Sequence, residues 1–142
     1  MKYAFLKVST NQEIAFDLKE SVSFDGDSGP YLLYTYARCK SVLKKASEAH
    51  DPAAASSGSL NADERALARL IQFFPEVVAA AAHDLSPNVI CTYLFDLAQT
   101  FNAFYQKNPI LGEKKRVVLT AATAQVLKNG LYLLGISTVE RM

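Results

Sequence analysis

The chain has 142 residues, half of them hydrophobic and a fifth charged, with 15 basic against 14 acidic side chains and a net charge of +1. That length suits one domain with a buried core, and the composition is soluble-globular, not disordered or fibrous. The near-neutral charge argues against holding long duplex nucleic acid by counterion release, so any nucleic-acid binding is expected to be local, through a small patch and aromatic stacking.

No apolar run approaches the roughly 20 residues needed to span a bilayer, and no basic stretch followed by a long apolar core opens the chain. Neither a membrane partner nor a signal peptide is expected, and the compartment is read as cytoplasmic. Cys39 and Cys91 are the only cysteines. Both fall in helical patterns and are expected as buried, reduced thiols. With two distant histidines they are too few for a metal site.

In chain order, residues 2–24 form a first segment. Ile14 to Leu18 alternates as a half-buried strand would, and the whole segment is too short to be stable unless packed on something else. Asp25 to Pro30 is a turn leading into a helix, with Ser28 or Gly29 as cap and Pro30 in the first turn. The helix runs to about Ala46. Leu32, Tyr36, Cys39, Leu43 and Ala46 form its core stripe, while Tyr31, Tyr34, Arg38, Ser41 and Lys45 lie at nearly the opposite angle.

Residues 47–60 have linker composition and are expected to be a mobile loop. Asn61 and Glu64 have capping-box spacing ahead of a short helix with Leu67, Leu70, Ile71 and Phe74 on one face. Pro75 is expected to start a second short helix, to about Asp84, burying Val77, Val78 and Ala81. Ser86-Pro87 opens a long helix whose stripe is Ile90, Leu94, Leu97, Phe101 and Phe104, and Asn108-Pro109 stops it. The last helix, about 114–134, is apolar nearly all round and is expected in the middle of a bundle. Gly135-Ile136 reads as a Schellman ending. The expected fold is all-α, a five-helix bundle with a short irregular or extended N-terminal segment.

Catalytic signatures are missing from the sequence. His50 and His83 read as surface or structural histidines, and the carboxylate pairs as turn and capping residues. There is no Gly-rich phosphate loop, His-Glu-x-x-His or Gly-x-Ser-x-Gly motif. A bundle of this kind is expected to recognise a partner, and the Tyr31/Tyr34/Arg38 face suits unstacked bases of single-stranded RNA. The bland alternative is half-buried core tyrosines with their hydroxyls outward. Lys114-Lys115-Arg116 sits at a helix start, unfavourably for the helix dipole, and reads either as a phosphate contact or as a solvated charge run.

Three collinear stretches resemble the C-terminal, DALR-type anticodon-binding domain of arginyl-tRNA synthetases, a class I synthetase family. They are Gly29-Pro30-Tyr31-Leu32-Leu33-Tyr34-Thr35-Tyr36-Ala37-Arg38, the run Tyr93 to Tyr105, and Gln125 through Gly135-Ile136 to Val139-Glu140-Arg141-Met142. Phe16-Asp17-Leu18 fits the family's leading segment. Leu33 and Tyr36 depart from the family, which often has Gln and His there.

The resemblance implies a helical domain, residues 25–142, that grips the anticodon stem-loop of tRNA-Arg. Residues 1–24 would be the junction to a catalytic domain that this chain lacks, with Met1 at a truncation point. The parent would ligate arginine to tRNA-Arg using ATP with magnesium. This domain would need no cofactor, would have no catalytic residues, would be monomeric, and would partner its own catalytic domain. The class I His-x-Gly-His and Lys-Met-Ser-Lys type motifs are not in the sequence, so the chain alone is not expected to be an enzyme. The implied tRNA-binding residues are Tyr31, Tyr34, Arg38, Lys45, Tyr105, Lys114, Lys115, Arg116 and Met142. The alternatives are a helical protein-docking module, or the corresponding domain of a cysteinyl or methionyl synthetase.

Overall fold

The computed structural model describes residues 1–9, 12, 17–24, 26–48 and 59–140. Among them lie six helices and no strand: α1 (Lys2–Leu6), α2 (Leu18–Ser21), α3 (Gly29–Glu48), α4 (Ala62–His83), α5 (Pro87–Lys107) and α6 (Lys114–Leu133). The fold is all-α, as the periodicities require. Most of the strand-like alternation at 14–18, the centre of the expected loop at 49–58 with His50, and Met142 lie outside the described residues.

Helices α3 and α5 bury the expected stripes. Leu32, Tyr36 and Cys39 meet Ile90, Leu94, Leu97, Phe101 and Phe104 in one core, which Leu67 of α4 and Leu127 and Leu131 of α6 complete. Two of the expected N-terminal caps form, while Ser86 precedes Pro87 at the start of α5 without a side-chain cap bond. The Ser28 hydroxyl accepts the Tyr31 N–H at 3.2 Å. Asn61 and Glu64 form the reciprocal capping box. Gly135, at φ 68°, lets its own N–H reach the Tyr132 carbonyl and that of Ile136 reach the Leu131 carbonyl, the two bonds of a Schellman motif.

Two expectations are corrected. The short helices on either side of Pro75 are one continuous helix, α4, with Pro75 inside it. Pro75 is exposed, so its ring projects away from the core that α4 packs against. Helix α6 does pack against α3, α4 and α5, but it is not apolar-buried all round. Val118 and Tyr132 are exposed, while Thr120 and Thr123 are fully buried. Their hydroxyls donate to the Arg116 and Leu119 carbonyls at 2.8 Å each, so burying them leaves no unmet polar group.

The N-terminal arm is anchored by α1. The Tyr3 ring is buried against α3 and α5, and its hydroxyl donates to Asp27 at 2.5 Å and lies 3.1 Å from the Cys91 carbonyl. Both cysteines are buried and free. Burial pushes both thiols up, Cys91 to about 12, so neither is a ready thiolate.

Candidate nucleic-acid interface

Between α3, the C-terminal end of α5 and the segment after it runs an open groove of about 670 Å³. One wall is the face of α3 that carries Tyr34, Arg38, Ser41 and Lys45, spaced 4, 3 and 4 residues apart so that they project together. Tyr105 forms part of the opposite wall. Asn108 to Leu111 form the floor, and Glu140 brings the C-terminal segment to one edge.

The Arg38 guanidinium is the centre of this site. It lies 4.7 Å from the Tyr34 ring centroid and 5.2 Å from that of Tyr105, a cation held between two π faces from different helices. It also donates to the Tyr34 hydroxyl at 3.1 Å and to the Asn102 amide oxygen at 2.5 Å. Tyr34 and Tyr105 are 41% and 40% exposed, enough ring surface for a base to stack on. Phe24 meets Tyr34 edge-on at 6.4 Å between centroids, adding a further exposed aromatic to the rim.

Tyr31 is different. Its ring packs against Phe95 at 5.7 Å, it is partly buried at the core edge, and its hydroxyl accepts from Asn102 at 3.0 Å. Tyr31 is thus half-buried with its hydroxyl bonded inward, whereas Tyr34 is exposed. Tyr36, one of the departures from the family pattern, is a core residue.

The groove floor is fixed from outside. Asn108 is buried. Its amide donates to Asp63 and to the Phe104 carbonyl, both at 3.1 Å, and it accepts from Asn61 at 2.9 Å. Arg116 donates to the Pro109 carbonyl at 2.8 Å. The start of α4 and the start of α6 thus grip the segment that closes the groove.

This changes the reading of the basic cluster. Lys115 and Arg116 pair with Glu64, which has no solvent exposure, at 3.3 and 2.7 Å. Burial alone would raise the Glu64 carboxyl. The Arg116 guanidinium, the Asn61 N–H and the Lys115 ammonium outweigh it and hold the group below its ordinary value. These two cations are engaged within the fold, which explains their unfavourable place at a helix N-terminus. Lys114 alone of the three is exposed.

The structure thus brings Tyr34, Arg38, Lys45 and Tyr105 into one groove, sets Tyr31 behind it, and keeps Lys115 and Arg116 on a separate ion cluster. Sequence reading missed Asn102 as a polar anchor. The available signal was an amide between the core residues Phe101 and Phe104, a position where Asn must be fully bonded.

The comparisons with known proteins agree with this architecture. The family described as DALR anticodon binding domain matches residues 32–142. The arginine–tRNA ligase of Flavobacterium psychrophilum is 40% identical over all of this chain, and that of Pyrococcus furiosus 35%. The arginyl-tRNA synthetase structure from Thermus thermophilus superposes with a TM-score of 0.87 at 33% identity, covering 99% of this chain and 26% of that one. The chain spans about a quarter of the length of the curated relatives it matches. An all-helical chain whose family match runs from α3 to its last residue belongs to the DALR anticodon-binding domain family.

Proposed function

We propose that this chain is the anticodon-arm recognition domain of an arginyl-tRNA synthetase, and that its groove receives the anticodon loop of tRNA-Arg. The observation that carries this is the Tyr34–Arg38–Tyr105 arrangement, a cation between two exposed rings at the lip of a groove. Single-stranded RNA is read by stacking bases on aromatic and guanidinium planes. Lys45, further along the same wall, is set to meet a phosphate. Lys114 and Met142 would border the same RNA.

The parent would ligate arginine to tRNA-Arg in the cytoplasm, as a monomer. ATP and magnesium would act in a catalytic domain on the N-terminal side, with residues 1–24 as the junction and 25–142 as the binding domain. The curated relatives carry that ligase name, and no helix among the described residues is long and apolar enough to cross a membrane.

The test is binding of tRNA-Arg and one non-cognate tRNA to the chain and to Tyr34→Ala, with thermal unfolding alongside. Loss of a stacking tyrosine should weaken tRNA-Arg binding by about 1–3 kcal/mol. The melting curve should stay close to the parent's, because the opposite stripe holds α3. A variant that melts much earlier while its folded fraction binds normally would show that Tyr34 serves the core and not RNA.

A further inference from the structure

We propose that Asn102 is the positioning residue of the RNA groove, aiming the Arg38 guanidinium while leaving its charge whole. The proposal rests on the groove reading above.

Asn102 is 9% exposed and lies on α5 opposite α3. A buried amide is costly unless its donors and acceptor are met. Here they are met by three residues of one helix face. The amide oxygen accepts from Arg38 at 2.5 Å, and the amide nitrogen donates to the Tyr31 hydroxyl and to Thr35 Oγ1 at 3.0 Å each. Guanidinium can only donate, so the oxygen must face Arg38 and the nitrogen must face Tyr31 and Thr35. The amide orientation follows from chemistry. Thr35 is itself pinned by donating to the Tyr31 carbonyl at 2.9 Å.

The choice of amide matters. Aspartate would also accept from Arg38, and more strongly, but it would neutralise the cation. Among the described residues, the ion pairs within 4.0 Å leave Arg38 without a carboxylate partner. A neutral anchor therefore keeps a full positive charge at the groove while fixing its direction between Tyr34 and Tyr105.

The experiment measures tRNA-Arg binding by the full chain against monovalent salt for three variants, with circular dichroism melts. Arg38→Ala should bind about tenfold more weakly, the scale of one charged hydrogen bond, and its salt slope should fall by about one. Asn102→Asp keeps the Arg38 bond but loses the two N–H donors to Tyr31 and Thr35, and its folded protein should show the same loss of affinity and slope. Thr35→Val removes an acceptor of Asn102 together with the local bond from Thr35 to the Tyr31 carbonyl, and Thr35 is fully buried, so RNA cannot touch it. It should weaken binding by about threefold, a fraction of one hydrogen bond, with its slope unchanged. If Arg38→Ala is weakened while Asn102→Asp and Thr35→Val bind and respond to salt like the parent, the role of Asn102 is overturned and the groove stands. If Asn102→Asp does not fold, Thr35→Val decides alone by the same criterion. If Arg38→Ala binds like the parent, the groove reading falls and this proposal with it.

Discussion

Glu64 shows how one side chain can join a helix cap, a loop and a binding surface. It closes the capping box of α4 with Asn61, accepts from Arg116, and pairs with the partly exposed Lys115 while being fully buried itself. The same Arg116 holds the Pro109 carbonyl at the groove floor. Because the folded carboxyl is held below its ordinary value, its contribution to stability is present above the unfolded-state value of about 4.3. It is lost as pH falls through the lower folded value. Glu64→Gln should cost about 1–3 kcal/mol near neutrality, the scale of a charged hydrogen bond, because two cations lose their charge partner. The deficit should shrink in acid, where the parent carboxyl also becomes neutral. Urea unfolding of both proteins across the acid range measures this. A deficit that does not change with pH would mean that Glu64 acts only through its shape.

The helices show what periodicity carries and what it does not. The stripes of α3 and α5 were legible because residues spaced 3 and 4 apart must share a face, and the burial of Ile90, Leu94, Leu97, Phe101 and Phe104 is that geometry realised. Pro75 misled because proline reads as a helix boundary from sequence alone, whereas here its ring stands exposed on a helix held by packing on both sides of it. Helix α6 misled because alanine, valine and leucine are apolar whether or not anything covers them. Its true buried face is marked by Thr120, Thr123, Leu127 and Gly130. Gly130 is there for contact between helices. A Cβ at that position would lie 2.5 Å from Leu94 Cδ2 and 2.9 Å from Cδ1, and Leu94 has no exposed surface. Helix propensity alone would make Gly130→Ala stabilising by about 1 kcal/mol. Overpacking of about 1–3 kcal/mol should win, so the variant should be the less stable in a urea titration. Equal or greater stability would show that Leu94 yields without cost.

The binding surface exists only at the level of the whole molecule. Its wall comes from α3, its second ring from the end of α5, and its floor from a segment tied down by residues at positions 61, 63 and 116. Tyr34, Arg38 and Lys45 could be grouped from sequence because one helix carries them. Asn102 and the Glu64–Arg116 pair could not, since those contacts span 64 and 52 residues of chain and depend on how helices meet.

The same assembly limits how charge is used. The net charge is +1, and several cations have acidic partners: Lys115 and Arg116 on Glu64, Lys40 on Glu140, Lys44 on Glu48. The groove itself offers Arg38 and Lys45. Two phosphate contacts on single-stranded RNA give a slope of log affinity against log salt of about −1.5. Binding of tRNA-Arg should therefore weaken only shallowly with salt at constant magnesium, with stacking on Tyr34 and Tyr105 supplying the salt-insensitive part. A slope steeper than about −5 would require more phosphate contacts than the groove can make. It would place the RNA across a wider surface, where exposed Lys114 is the next cation to test.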